Sequence, residues 1–403
     1  MKTIQRYLKM MLVLVAMLMG IQAKAEKQPY VVYSVENKTL TFYYDENMSS
    51  NGGILIDEDY GDGYNDLPSW NMNLGTTKVV FDRSFAGYHP TTTRSWFSTN
   101  FSTLKEIEGL ENLNTSQVMD MSLMFRECFA LEELDLSSFN TGNVTKMNSM
   151  FLHCTSLKKL NVSFDTSKVV DMTEMFCQCS QLEELDVSSF NTSNVVYMQG
   201  VFSYCSSLKS LDLRNFDLSG VASIAFLFEG CTALERIDLS KSSTNNMGNM
   251  DGVFKGCQSL TSLDLSSFDT HNVNNMEQLF YECKNLTTIY VGDKWDTSSV
   301  LEQFSASLFC WCSKLVGGAG TAYSNTTYDH LLYARIDGGP SSKTPGYFTY
   351  KKPAGISTGV AQQNISDKSQ MTSNEWYSVD GRKIAGNPTK KGVYIHNGKT
   401  VVR

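Results

Sequence analysis

The sequence predicts an α/β repeat protein: a right-handed solenoid of short strands and short helices, with β-rich caps and a small β module at the C-terminus. Two observations predict this fold class. A Phe-x-x-Cys pair recurs with eight cysteines spaced 25 to 29 residues apart, at Cys128, Cys154, Cys179, Cys205, Cys231, Cys257, Cys283 and Cys312. A leucine stands three residues after each of these cysteines. A fixed period of this length is typical of a solenoid, in which each coil packs against its neighbours.

The N-terminal 25 residues predict a secretory signal peptide. Lys2, Arg6 and Lys9 precede an apolar run at residues 10–19, and Ala23-Lys24-Ala25 fits a small-x-small cleavage site. The alternative is a membrane anchor, but the apolar run is too short to span a bilayer comfortably. We therefore expect a protein that is secreted or held at the outer cell surface.

The net charge argues against nucleic acid as a partner. The chain has a formal charge of −8. Signal-peptide cleavage would remove four basic residues, which makes the net charge more negative: Lys2, Arg6, Lys9 and Lys24. Binding to a phosphate backbone needs a basic patch, so we expect no nucleic-acid partner.

Each repeat unit has two halves. Leu134 and Leu136 alternate with polar residues, which predicts a short half-buried strand. Met147, Met150 and Cys154 follow at steps of three and four, which predicts one face of a short helix. A single unit buries too little apolar surface to fold alone, so neighbouring coils must stack in register.

One unit departs from the pattern. Ser242 stands where the flanking units have Phe216 and Phe268, and the final unit uses Trp295 at this position. We expect a packing irregularity near residues 240–250.

The cysteines are predicted to form a reduced, buried column. Eight of them share one repeat position beside Phe, Met and Leu, where a small buried side chain belongs. Disulfides between neighbouring coils are the alternative, since adjacent strands lie about 4.8 Å apart. Cys177 and Cys310 are additional, and a bond from either to the column cysteine two residues later would be strained. We expect no zinc and no cofactor, because candidate ligands are spread along the solenoid.

The repeat unit resembles a known family. Its pattern is Asn-x-x-Met-x-x-Met-Phe-x-x-Cys-x-x-Leu-x-x-Leu-Asp-Leu-Ser-x-Phe-x-Thr, and residues 114–315 with this pattern resemble BspA-like leucine-rich repeat surface proteins in their 26-residue form. Residues 26–113 look like the N-terminal cap of that family, and residues 316–352 look like its C-terminal cap. The resemblance implies a surface protein that binds macromolecules, in particular an adhesin for host or neighbouring-cell proteins. The alternative is a structural or glycan-capturing envelope protein without a protein partner.

The C-terminal part is predicted to be separate. Residues 353–373 are polar and predict a linker, and residues 374–403 predict short strands with glycine turns. Residues 374–403 resemble the sorting modules of type IX secretion, which would place the protein at the outer cell surface. A small β module that merely ends the chain is the alternative.

The sequence predicts no enzyme. Gly355-Ile-Ser357-Thr-Gly359 spells a nucleophile elbow, but no strand precedes it and no helix follows it. Residues 392–400 resemble a phosphate loop without the helix that such a loop requires. Five histidines are scattered without an evident carboxylate or nucleophile partner: His89, His153, His271, His330 and His396.

An acidic loop at residues 57–66 has two interpretations. Its carboxylates and glycines could wrap a calcium ion, although the order does not fit an EF-hand. A solvated loop is the simpler interpretation.

The candidate partner-binding site is the outward face of the predicted strands. Its members are Glu132, Glu133, Asp135, Lys158, Lys159, Glu183, Glu184, Asp186, Lys209, Asp212, Glu235, Arg236, Asp238 and Asp264. They form either a solvated surface or a polar surface that holds an extracellular protein or another cell-surface macromolecule. The aspartates repeat at one position, where they could recruit cations or be satisfied locally by Ser137, Ser188 and Ser266.

Overall fold

The computed structural model describes residues 25–352, except 64, 73, 240, 241, 325–329, 340 and 342, together with the backbone of four strands between residues 376 and 402. The chain divides into two units, residues 1–353 and 354–403. The predicted signal peptide up to residue 24, the linker and the Ser357 motif lie outside the described residues. None of the helices in the described residues is long and apolar enough to cross a membrane.

A five-stranded sheet forms the N-terminal cap. Its strands are β1 (Gln28–Ser34), β2 (Thr39–Asp45), β3 (Ile54–Leu55), β4 (Lys78–Phe81) and β5 (Glu106–Glu108), in the order β3-β1-β2-β4-β5. β1 pairs antiparallel with β2 and β3, whereas β2-β4 and β4-β5 are parallel pairs. The change to parallel pairing begins the stacking direction that the repeats continue.

Each repeat contributes one short strand, except the coil at residues 182–187, which forms none. These strands are β6 (Glu133–Asp135), β7 (Lys159–Asn161), β8 (Ser210–Asp212), β9 (Arg236–Asp238), β10 (Ser262–Leu265) and β11 (Thr288–Val291), and β12 (Phe348–Tyr350) follows in the C-terminal cap. The parallel pairs β6-β7, β8-β9, β10-β11 and β11-β12 place equivalent residues side by side. The chain therefore forms a repeat solenoid, as predicted; the right-handed sense of its coil stays a prediction.

The predicted short helices are not found among the described residues of the repeats. Overlapping turns stand in their place, apart from a short 3₁₀ helix at Glu302–Phe304. The described residues contain one α-helix, α1 (His330–Tyr333), which lies beyond the repeats.

Backbone hydrogen bonds explain the turns. The N–H groups of Met121, Leu123 and Phe125 donate to carbonyls of the next coil at 2.9 to 3.0 Å. The residues between them, such as Met124, instead donate to the carbonyl three residues back, in this case that of Met121 at 3.3 Å. Because alternate N–H groups leave the coil, the continuous i to i−4 ladder of a helix cannot form.

This alternation forces two left-handed residues into each coil. Their φ angles lie between 52° and 74°, at Leu123, Glu127, Ser149, His153, Glu174, Gln178, Gly200, Tyr204, Phe226, Gly230, Gly252, Gly256, Gln278, Glu282, Ser307 and Trp311. A left-handed residue other than glycine costs on the order of 1 kcal/mol or more. The bonds to the next coil must offset this cost.

A column of phenylalanines fills the interior of the solenoid. Neighbouring rings are 5.4 to 5.8 Å apart between centroids, through Phe97, Phe125, Phe151, Phe176, Phe202, Phe228, Phe254, Phe280 and Phe309. All of these side chains are buried. Such stacking requires every coil to present its phenylalanine in the same register.

The cysteine column lies beside the phenylalanines. Each of the eight thiols donates to the carbonyl of the column phenylalanine in the preceding coil, at 2.9 to 3.3 Å. The Phe125 carbonyl, for example, accepts from the Cys128 N–H at 3.2 Å and from the Cys154 thiol at 3.1 Å. Cysteine thus combines a small apolar volume with a donor for the second lone pair of a buried carbonyl.

Ser242 lies at the position where the irregularity was expected. Its side chain is buried and its hydroxyl has no hydrogen-bond partner, whereas Phe216, at the equivalent position of the preceding coil, packs against Phe190. Residues 240 and 241, just before it, lie outside the described residues.

One carboxylate organises the C-terminal cap. Asp337 is buried and accepts hydrogen bonds from the N–H groups of Ala319, Thr321, Gly339 and Gly346 and from the Thr321 hydroxyl. Burial alone would raise the pKa of Asp337, but these donors, led by the Thr321 hydroxyl, lower it to about 2.

The second unit is a four-stranded antiparallel sheet. Its strands are β13 (Trp376–Ser378), β14 (Lys383–Ile384), β15 (Val393–His396) and β16 (Lys399–Val402), in the order β14-β13-β15-β16. Lys399 of the phosphate-loop pattern thus begins a strand.

The cysteine column should resist chemical labelling in the native protein. The thiols are buried, and burial raises the pKa of Cys154 and Cys231 to about 12. We expect an alkylating reagent to spare the eight column cysteines in buffer and to label all ten cysteines in concentrated urea, as measured by peptide mass spectrometry. Fast native labelling of the column, or disulfide-linked column peptides, would contradict the structure.

The hydrogen bonds to Asp337 should make the free energy of unfolding depend on pH in the acidic range. An ordinary aspartate has a pKa of about 3.9, so ionised Asp337 favours folding above that pH and loses this effect as pH falls towards 2. We expect Asp337→Asn to lower the free energy of unfolding by about 2 kcal/mol at pH 7 and by much less near pH 2. Urea unfolding measures both values, with the exposed-site variant Glu302→Gln as control. An equal loss at both pH values would refute this role for the carboxylate.

Candidate binding face

The strand face consists of the outward side chains of the coils from residue 132 to residue 264. In β6, Glu133 and Asp135 are exposed while Leu134 is buried between them. β8 repeats this pattern, because successive side chains of a strand point to opposite sides of the sheet. Twelve of the fourteen predicted face residues are exposed, and Asp238 and Asp264 are partly buried.

Ion pairs join neighbouring coils across the face. Lys158 lies 2.7 Å from Glu132, Lys159 lies 2.7 Å from Glu133, and Lys209 lies 2.5 Å from Glu183. The lysine partners hold the pKa values of Glu132 and Glu183 below their usual range. All these side chains are well exposed to water, so the pairs contribute little to stability and can be exchanged for pairs with a partner.

The repeated aspartates are satisfied by the backbone. Asp135 accepts from the Ser137 N–H, Asp186 from Ser188 and Asp264 from Ser266, at 2.9 to 3.0 Å. These bonds lower the pKa of Asp135 and Asp186. The structure therefore shows these aspartates satisfied locally, by the backbone N–H groups of the serines that follow them.

Arg214 was missed from the sequence as part of this face. It occupies the serine position after Asp212, donates to both carboxylate oxygens of Asp212, and lies 3.7 Å from Asp238. The signal was present, because arginine replaces a serine that recurs at this place in the other coils.

The face contains an open depression of about 1070 Å³. It is lined mainly by charged and amide side chains: Glu133, Asp135, Lys158, Lys159, Asn161, Gln181, Glu183, Glu184, Asp186 and Asp212. The coil at residues 182–187 forms no strand here, so the parallel ladder is interrupted between β7 and β8. The interruption follows the one coil whose cysteine step is 25 residues. The depression thus brings predicted residues from four consecutive coils together.

The acidic loop contacts residues 88–94 of the N-terminal cap through polar groups. The Glu58 carboxylate accepts from the Tyr88 hydroxyl and from Thr91, and the Arg94 guanidinium donates to the carbonyls of Asp62 and Gly63. Within the ranges that the structure describes, no group of three or more His, Cys, Asp or Glu side chains could hold a metal ion.

The expectation about histidines is wrong for His271. Its Nδ1 contacts the carboxylate of Asp269, which also lies 3.0 Å from the Lys294 ammonium. The Asp269 backbone N–H donates to the Thr244 hydroxyl. The spacing of two residues between His271 and Asp269 made this pair visible in the sequence. The side chain of His330 lies outside the described residues. For His396, the structure describes only its place in the backbone of β15.

Comparison with known proteins identifies the family. The model of a family described as "Mycoplasma protein of unknown function, DUF285" matches residues 93–211 and 198–314, which is more than half of the chain. The chain belongs to this family. No curated protein matches it.

Two solved structures are similar to the chain. A leucine-rich repeat protein from Bacteroides ovatus ATCC 8483 is 14% identical, covering 69% of this chain and 97% of that one with a TM-score of 0.19. A leucine-rich repeat protein from Eubacterium ventriosum ATCC 27560 is also 14% identical, covering 85% of this chain and 97% of that one with a TM-score of 0.27.

Proposed function

We propose that the chain is a BspA-like leucine-rich repeat surface protein and that its strand face binds an extended segment of an extracellular protein. The observation that carries this proposal is the depression, where charged side chains from four consecutive coils meet on an open surface. A broad polar face of this kind suits an extended polypeptide better than a small molecule, which needs a concave and mostly apolar pocket.

The chemistry of the face supports exchange of contacts. Lys158 and Lys159 already pair with glutamates of the neighbouring coil while their side chains are exposed to water. A partner that offers carboxylates and amines at a similar spacing can replace these weak pairs at little cost. Glu184, which has no ion pair within the described residues, supplies an additional negative charge to the lining of the depression.

The rigid interior favours such binding. The backbone positions beneath the face are fixed by buried leucines such as Leu134 and Leu211, so the charged groups are held at constant spacing before a partner arrives. A surface that is ordered in advance loses less conformational entropy on binding.

We also propose an extracellular location and a non-enzymatic role. The pattern at residues 1–25 supports export, and the resemblance at residues 374–403 supports sorting to the outer cell surface. The four short strands between residues 376 and 402 are consistent with a small folded module at the C-terminus. Adhesion to host or neighbouring-cell proteins is the activity that we infer for the whole protein.

Charge reversal on the face should abolish binding. We expect the chain from residue 26 onward to bind at least one of immobilised fibronectin, fibrinogen and laminin in surface plasmon resonance. The double variant Lys159→Glu/Glu184→Lys should weaken that affinity at least tenfold. The reversed side chains would repel the charged groups of the partner that pair with Lys159 and Glu184. Affinity should also fall as salt rises.

The matched control is Glu302→Lys, which changes charge at an exposed residue outside the strand face. It should bind as the unchanged protein does, and all variants should melt at similar temperatures. Unchanged affinity of the double variant, or no binding to any of the three proteins, would contradict the proposal.

A further inference from the structure

Two exposed aromatic residues occupy left-handed backbone positions on consecutive coils. Tyr204 has a φ of 57° and is 46% exposed, and Phe226 has a φ of 60° and is 37% exposed. Both belong to the ribbon of turns, which consists of residues 121–128 and the equivalent eight residues that end at each column cysteine, outside the strand face. Every coil has two such positions, and a bulky residue there is strained where glycine would not be.

Glycines of the next coil make room for both rings. A Cβ atom on Gly230 would lie 2.5 Å from Cδ1 of Tyr204, and one on Gly252 would lie 2.8 Å from Cδ1 of Phe226. Any larger residue at these glycines would push the rings away. The two rings are therefore held close against the backbone of the coil beside them, with part of each ring open to solvent.

Glu229 joins the two aromatic residues. Its carbonyl accepts from the Tyr204 N–H at 2.5 Å, and its N–H donates to the Phe226 carbonyl at 3.1 Å. Its carboxylate lies 3.0 Å from the Lys255 ammonium. The Asp251 carbonyl accepts from the Phe226 N–H at 2.8 Å. The Tyr204 hydroxyl also donates to the Glu229 carboxylate, so this ring is bordered by side chains that can donate and accept hydrogen bonds.

Partial burial and the nearby Glu277 raise the pKa of Asp251 to about 6. Glu229 acts in the same direction, whereas Lys255 opposes it. Around Asp251, the two carboxylates of Glu229 and Glu277 therefore outnumber the single lysine, Lys255.

We propose that Tyr204 and Phe226 form a carbohydrate-binding site that takes a neutral polysaccharide. The face of an aromatic ring carries partial negative charge, which attracts the C–H face of a pyranose ring. Hydroxyl groups at the rim of the sugar can hydrogen-bond to Glu229, Asp251 and Lys255. Two rings on consecutive coils suit an oligosaccharide segment better than one monosaccharide, and the surrounding carboxylates disfavour acidic glycans.

The polar border also distinguishes this site from an apolar protein-docking patch. The Glu229 carboxylate accepts a hydrogen bond from the Tyr204 hydroxyl and also pairs with Lys255, so charged groups adjoin this ring. The site does not depend on the strand face, so it extends the proposed function independently.

Glycine substitutions test the proposal without threatening the fold. Tyr204→Gly and Phe226→Gly remove each ring and relieve the left-handed backbone. The matched control is Trp311→Gly, because Trp311 is 62% exposed at the left-handed position that is equivalent to that of Tyr204 in a later coil. Affinity electrophoresis in gels containing yeast α-mannan, laminarin, xyloglucan or galactomannan gives the affinities, with polygalacturonate as the acidic comparison.

We expect at least one neutral polysaccharide to retard the unchanged protein. Tyr204→Gly and Phe226→Gly should each weaken that affinity at least tenfold, while Trp311→Gly leaves it unchanged and all variants stay folded by thermal melting. Retardation by none of the four neutral polysaccharides, or equal weakening by Trp311→Gly, would overturn the proposal. Loss of binding to an immobilised protein without any polysaccharide binding would show a protein-docking surface instead.

Discussion

The structure depends on how each coil divides its backbone N–H groups. In the ribbon of turns, alternate residues donate to the next coil and the residues between them close turns within their own coil. This division fixes the number of residues in the ribbon and forces two of them into left-handed conformations. A coil cannot gain or lose a ribbon residue without exchanging the two sets of donors. The repeat of the sequence is a consequence of that constraint.

The side-chain columns follow from the same register. Each phenylalanine ring stacks on the ring of the coil before it, and each cysteine thiol reaches back to the carbonyl of that coil's phenylalanine. The carbonyl of Phe125 therefore receives one donor from its own coil and one from the next. Variation in coil length falls elsewhere: the short coil lacks one serine between Val162 and Phe164, where the preceding coil has Ser137 and Ser138.

Much of the fold could be predicted from the sequence because apolar residues mark the interior whatever the local backbone. Leu134 was predicted to face inward from strict alternation, and it is buried in a strand. The helices could not be separated from turns, since both structures place Met147, Met150 and Cys154 on one side with steps of three and four. Glycines at 200, 230, 252 and 256 gave the missing signal, because they share their repeat positions with the other left-handed residues.

The candidate site was predicted less evenly. The outward residues of the strand face followed from alternation, but the interrupted ladder at residues 182–187 did not, because it depends on how a shortened neighbour stacks. Tyr204 and Phe226 were missed, since a repeat pattern treats their positions as variable and says nothing about φ.

The most direct test inserts one alanine after Met150, within the ribbon, and compares it with one alanine inserted after Ser163, in the short loop. Equilibrium urea unfolding should show a loss of about 4 kcal/mol or complete unfolding for the first, and less than about 1 kcal/mol for the second. Equal tolerance of the two insertions would contradict the account.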